Sequence, residues 1–186
     1  MRFPIQDIKS RQQLSLLLPP HGIGVEFGVD EGDHAQTLIN FSNAKKIYLV
    51  DFWSYNASRE GFENWKDKLD RVRARFAVQV AAGLVEIVDS TFRDFLDKFP
   101  DEYFDWGYLD GWHSYKDVTR DAGDILPKLK RGAIFGGHDF KVEPKDWGTG
   151  CCRAVLELVQ NGVGPLIGLS NEENSDWVIR KGGFNL

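Results

Sequence analysis

The 186-residue chain is 42% hydrophobic, 13% aromatic and 27% charged, with a formal net charge of −5. This composition belongs to a folded globular protein and excludes a disordered or membrane-embedded one; the length suits one domain with a sheet covered on both faces. The acidic balance argues against a broad nucleic-acid or anionic-membrane surface, whereas a cationic ligand would meet no overall repulsion.

The first residues carry no long apolar run and no small-residue cleavage site, so no signal peptide is expected. Nor does any stretch approach the roughly 18 apolar residues of a membrane-spanning helix. Cys151 and Cys152 are adjacent and have no third cysteine to pair with, which reads as two reduced thiols in a cytoplasmic protein.

Residues 1–21 read as a short lead-in. Ile8, Leu14, Leu16, Leu17 and Leu18 suit a small helix packed on the core, ended by Pro19-Pro20. Gly24–Phe27 is the first buried strand. Gly28 and Gly32 then permit a tight turn, and Asp33, with Gln36 three residues on, is a candidate cap for a helix over about Asp33–Ser42. Strand, glycine turn and helix together seat a nucleotide-like ligand at the end of a parallel strand. Glu26 is out of place in a phosphate loop. A carboxylate there suits a ligand with a positive group or with donors to offer.

Ile47–Asp51 is strand two, and an acid at its end can accept hydrogen bonds from ribose hydroxyls. Phe52-Trp53-Ser-Tyr55 reads as an aromatic-rich loop. Trp65, Leu69, Val72, Phe76 and Val80 recur at helical spacing and predict one helix of about five turns, with Lys66, Lys68, Arg71, Arg73 and Arg75 on its solvated face. Val85–Ser90 is strand three. Thr91 and Asp94 cap a short helix bearing Phe92, Phe95, Leu96 and Phe99. Phe104–Asp110 is strand four, after which Ser114 caps a helix carrying Tyr115, Val118, Ala122, Ile125 and Leu126. Pro127 interrupts that helix, and Leu129–Gly132 ends it. Ala133–Asp139 is strand five. Lys141–Gly150 reads as a polar loop and about Cys151–Gln160 as a helix. Gly164–Leu169 and Asp176–Arg180 are too close in sequence for a helical crossover, so they must pair antiparallel.

Five strand–helix units and a closing hairpin make an α/β, doubly wound, Rossmann-like sheet of seven strands, mostly parallel, in a single domain spanning 1–186. Ligands of such sheets bind at the carboxyl ends of the strands. Glu26, Asp51, Asp89, Ser90, Asp110, His113, His138 and Asp139 all fall at such ends. That convergence points to a functional crevice.

Four stretches in this order, Val25–Gly32, Tyr48–Trp53, Tyr108–Tyr115 and Gly136–Phe140, resemble class I S-adenosylmethionine-dependent methyltransferases. The likeness is nearest to the small O-methyltransferases that include the macrocin and aminocoumarin sugar enzymes, and it covers about residues 22–180. It implies a transferase acting on a small-molecule hydroxyl, and the fold matches, with an antiparallel last strand inserted beside the fifth. It places Glu26, Gly28 and Gly32 at the amino-acid end of S-adenosylmethionine, whose ammonium and sulfonium suit Glu26. Asp51 would hold the ribose and Asp89 and Ser90 would lie beside the adenine; Phe52, from a segment that suits a wall for the adenine or the acceptor or plain surface packing, and Asp110 count with the cofactor-binding residues. Asp110 and Asp139 match positions where metal-dependent members hold magnesium.

The chain departs from that pattern in carrying His138-Asp139, with His113 on the Asp110 loop. Magnesium prefers oxygen ligands and histidine suits softer divalent ions. Three states stay open: a site using Asp110 and Asp139, a mixed site including His138, or no metal with His138 or His113 as general base beside Asp110. Two rivals stand beside this reading. A nicotinamide-dependent oxidoreductase would need G-x-G-x-x-G, which residues 22–28 do not supply. A non-catalytic binding domain would keep the fold without the reaction. The acceptor, any membership of a homo-oligomer and the choice of metal are not written in the sequence. Trp53–Gly61, Lys141–Gly150, Trp112, Tyr115 and Trp147 are the expected sources of acceptor contacts.

Overall fold

The computed structural model describes residues 6–59, 64–140, 148–170 and 175–182. In chain order the strands and helices are β1 (Gln6–Ile8), α1 (Arg11–Ser15), β2 (Ile23–Phe27), α2 (Asp33–Phe41), β3 (Lys46–Asp51), α3 (Trp53–Ala57), α4 (Trp65–Arg75), α5 (Ala77–Ala81), β4 (Val85–Asp89), α6 (Phe92–Leu96), β5 (Phe104–Leu109), α7 (Tyr115–Ile125), β6 (Leu129–Gly137), α8 (Gly148–Gln160), β7 (Leu166–Ser170) and β8 (Trp177–Arg180).

The strands form one sheet in the order β1-β7-β8-β6-β5-β2-β3-β4. Only β8 runs antiparallel to its neighbours, β6 and β7. β2 to β8 are the expected seven strands, with the last inserted beside the fifth. β1 is an eighth, added parallel to β7 from the lead-in. Ile8 therefore lies in a strand, not in a lead-in helix, and Leu16 is exposed while Leu14 and Leu18 pack inward.

Alternation along each strand sends successive side chains to opposite faces. Val25, Phe27, Tyr48 and Val50 pack on one face with residues of α6, α7 and α8. Ile47, Leu49, Trp106 and Tyr108 pack on the other with residues of α1, α2 and α4. Both faces are buried, which is why the central strands read as continuous apolar runs. The chain leaves β2 toward β3 and β4 on one side and returns to β5 on the other. The crevice thus opens between β2 and β5, at the reversal of strand order.

Several boundaries differ from expectation. Gly32, at φ +85°, is the residue before α2, and Asp33 is the first helical residue rather than its cap. The left-handed turn fixes that choice: Gln36 N–H bonds the Gly32 carbonyl at 3.0 Å, and Asp33 instead pairs with Arg75 at 2.6 Å. The aromatic segment after β3 is a helix, α3, because buried Trp53 anchors it with an Nε1–H bond of 2.9 Å to the Asp30 carbonyl. The predicted five-turn helix breaks at Phe76, whose backbone leaves the helical region at φ −106°, ψ 17°. Phe76 is fully buried and lies against Gly32; beyond it Val80 is exposed rather than in the core. Leu129–Gly132 opens β6 instead of ending a helix, and α8 starts at Gly148. Trp147 and the segment 141–147 lie outside the described residues.

Candidate active site

Gly28 follows β2 at φ +85°, and a Cβ there would lie 2.2 Å from the Asp110 carbonyl oxygen. Only glycine allows the β2 turn and the β5 exit to touch backbone to backbone. The contact is stitched by Asp110 N–H to the Phe27 carbonyl at 2.7 Å and Gly28 N–H to the Val50 carbonyl at 3.0 Å. Three strand ends are thereby held at one point.

Glu26 sits within β2, not in the turn, and is buried. Its Oε1 lies 2.9 Å from His34 Nδ1, while Oε2 and His34 Nε2 are buried with no hydrogen-bond partner among the described residues. Burial raises the Glu26 pKa, with the charge and hydrogen bond of His34 opposing. Asp51 is also buried. Its Oδ2 accepts from Asp30 N–H at 2.9 Å and its Oδ1 from Phe52 N–H at 2.8 Å. Burial nonetheless pushes its pKa up to about 6, the backbone hydrogen bonds opposing.

The ends of β5 and β6 bring Asp110, His113, His138 and Asp139 together. His138 Nδ1 is 3.2 Å from Asp110 Oδ1, and His113 Nε2 is 3.3 Å from Asp139 Oδ2 and 3.9 Å from Asp110 Oδ1. His138 Nδ1 lies 3.7 Å from Asp139 Oδ1. Asp139 adopts a left-handed backbone at φ 60°, which aspartate tolerates better than most residues. Burial opposes ionisation of Asp110, but the hydrogen bond and charge of His138, then Arg11, hold its pKa below the ordinary value. His138 is raised: burial lowers it, and the hydrogen bond and charge of Asp110 outweigh that. Among the described residues, Asp110, His113 and His138 form a possible metal-ligand set, with donor atoms within 4.8 Å of one another. Asp139 falls outside that set.

Two cavities meet here. One, of about 330 Å³, is lined by Arg11, Glu26, His34, Asp110 and His138 together with Gly28–Glu31 and Asp33. The other, of about 270 Å³, is lined by Asp51, Phe52, Trp112 and His113 among others, and both include Gly28, Asp30 and Asp110. A flanking cavity of about 730 Å³ shares Phe52 and Trp112 with the second.

Gly32 lines neither crevice cavity; it packs on Phe76. Nor do Asp89 and Ser90 line them. Asp89 accepts from the Ser54 amide at 3.1 Å and from its hydroxyl, tying β4 to α3, and the Ser90 hydroxyl donates to the Thr91 carbonyl. Both cysteines are free thiols; the buried Cys151 thiol, pushed up to about 12 by burial, donates to the His138 carbonyl at 3.2 Å.

Arg11 is a site residue that sequence reasoning missed. From α1 it reaches 3.4 Å from Asp176 and 3.7 Å from Asp110. A lone arginine in a short lead-in carries no local signal of this, because the contact depends on β1 docking beside β7.

The order of strands, the single antiparallel strand and the crevice at the switch point define a Rossmann-like class I methyltransferase fold. The family described as a methyltransferase domain matches residues 25–140, more than half of the chain, and the chain belongs to it. It is thus a methyltransferase. No curated protein matches. Among solved structures, a Corynebacterium glutamicum protein aligns with TM-score 0.67 at 12% identity, over 95% of this chain and 80% of the other. The methyltransferase PaMTH1 of Podospora anserina, bound to S-adenosylhomocysteine, aligns with TM-score 0.66 at 14% identity, over 92% and 77%. TrmK of M. capricolum, also with S-adenosylhomocysteine, aligns with TM-score 0.64 at 11% identity, over 96% and 71%. Of two other matched structures the chain spans only 42% and 58%. Among the described residues no helix is long and apolar enough to cross a membrane.

Proposed function

We propose that the chain transfers a methyl group from S-adenosylmethionine to a hydroxyl of a small molecule. The observation that carries this is the meeting of Asp110, His113 and His138 at the junction of two cavities, one ending at Asp51 and the other at Glu26. The residues present fit that donor. Glu26 and His34 leave buried polar atoms unsatisfied in the first cavity, which a polar, partly cationic ligand end would satisfy. Asp51 has lone pairs left for ribose hydroxyls, and Phe52 and Trp112 offer flat walls for a base in the second. Gly28 and Asp30 lie along the path between them. Asp89 takes a supporting role at the adenine end, acting through Ser54 of α3, and Ser90 does so through its N–H, which donates to the Asp51 carbonyl at 3.0 Å.

When bound, the donor supplies a methyl already activated on a sulfonium. This chain then has to orient the acceptor hydroxyl and take its proton. As the new O–C bond forms and the S–C bond breaks, the hydroxyl proton passes to the imidazole of His138 or His113, with Asp110 stabilising the imidazolium at 3.2 or 3.9 Å. The acidic lining of the crevice suits the cationic sulfonium.

A second reading is favoured by the three donors within 4.8 Å. One carboxylate oxygen and two imidazole nitrogens fit a divalent ion of the manganese–zinc series better than magnesium, and Asp139 stands 3.3 Å from His113 to orient it. Asp110, His113 and His138 would hold that ion, which would acidify a bound hydroxyl.

The test is product formation on a panel of phenols, sugars and other small hydroxyl compounds, followed as S-adenosylhomocysteine release with chelator or with added manganese. Methylation that persists in chelator supports the histidine base, and methylation that needs manganese supports the metal. Turnover of an amine or thiol acceptor in preference to every hydroxyl compound would overturn the O-methylation reading.

A further inference from the structure

The 330 Å³ cavity holds an uncommon combination. Among the residues lining it, Arg11 is the one with a permanent positive charge, set among Glu26, Asp30, Asp110 and two histidines. Its guanidinium carries five donors. Yet its ion pairs, at 3.4 Å to Asp176 and 3.7 Å to Asp110, are longer than good charge-assisted hydrogen bonds. Glu26 and His34 line the same cavity, and among the described residues Glu26 Oε2 and His34 Nε2 have no hydrogen-bond partner. Glu26 and His34 are at least nine-tenths buried. An acid-rich pocket with unsatisfied acceptors wants an ammonium. A loosely held guanidinium at its rim wants an anion. One ligand end that offers both is an α-amino acid zwitterion.

We infer that Arg11 is the residue that recognises the carboxylate of the donor's amino-acid end, while Glu26 and His34 take its ammonium. This rests on S-adenosylmethionine being the donor and adds a specificity determinant to that site. Arg11 comes from the lead-in rather than from the strand ends, so docking of α1 completes the site. Arg11 also leans on Asp176, which accepts from the Tyr108 hydroxyl and whose backbone N–H donates to the Ser170 hydroxyl, so a group outside the cavity orients Arg11 without saturating its donors.

The experiment uses the full chain and three nucleosides: S-adenosylhomocysteine, its decarboxylated counterpart, and 5′-methylthioadenosine, which lacks the whole amino-acid end. Binding is read by calorimetry. A charge-assisted pair predicts that the wild type prefers S-adenosylhomocysteine to the decarboxylated form by about 10- to 100-fold. Arg11→Ala removes that preference and leaves methylthioadenosine affinity unchanged; Arg11→Lys keeps part of it. The wild-type comparison stands even if Arg11→Ala fails to fold. Equal affinity of the wild type for the first two ligands overturns the proposal, as does an Arg11→Ala variant that weakens all three alike. A wild type that binds none of the three overturns the donor assignment itself, and this inference with it.

Discussion

Asp51 offers the sharpest test, because its charge state is set by burial and its proposed role needs it ionised. In the free protein its pKa is pushed up to about 6. Ribose hydroxyls donate to a carboxylate, so the ligand favours the ionised form, and at low pH binding must first drive off the proton. Affinity for S-adenosylhomocysteine is then level above about pH 7 and falls as pH drops through 6. At pH 5 the penalty is about tenfold, or about 1.4 kcal/mol. The folding linkage has the opposite sense. A folded-state value above the ordinary 3.8 gives stability that is complete below that value and is lost as pH rises through about 6. The full span is about 3 kcal/mol. Calorimetric titrations from pH 5 to 8, in buffers of differing ionisation enthalpy, read both the affinity and the proton released. Asp51→Asn should bind weakly at every pH and lose this dependence. A flat wild-type affinity across that range, or an identical pH profile in Asp51→Asn, would refute the reasoning.

Three further outcomes are expected. Gly28→Ala forces a left-handed residue and a Cβ 2.2 Å from the Asp110 carbonyl, and should lower the unfolding free energy by about 2–4 kcal/mol in urea denaturation; an unchanged midpoint contradicts the close backbone contact. His138→Asn should lower kcat by about 10²–10⁴ in an assay with an acceptor the wild type methylates, if His138 is the base; if His113 is the base, His113→Asn carries that loss. Arg71→Ala should cost less than about 1 kcal/mol in stability, since its pair with Glu31 at 2.9 Å is exposed on both sides; a loss of several kcal/mol would show that the basic face of α4 does more than clasp the glycine turn.

The strand pattern was legible because both faces of the sheet are buried. Ile47–Val50 and Phe104–Leu109 read as apolar runs with an acid at or just after the exit, and that is how they fold. The antiparallel last strand followed from the short span between β7 and β8. Capping by Thr91 and Ser114 was visible too, since each accepts from the amide three residues on. What escaped was decided by contacts remote in sequence. Gly32 took the cap position from Asp33 because Phe76 packs against it. Phe76 broke the long helix although neither proline nor glycine marks the spot. β1 was unreadable because three residues paired with β7 leave no period. In the site, Glu26, Asp51, Asp110 and His138 could be placed by their strand ends. The His34 pairing of Glu26 lies within a turn and a helix of it, yet only the fold shows that both are buried. Arg11 could not be placed at all, as its neighbours Asp110 and Asp176 lie far along the chain.

The central claim is that the crevice between β2 and β5 binds the methyl donor. Titration of the wild type and Asp51→Ala with S-adenosylhomocysteine tests it most directly. One-to-one saturable binding by the wild type, weakened at least tenfold in a folded Asp51→Ala, is the predicted result. No binding by the wild type, or equal binding by both, would contradict it.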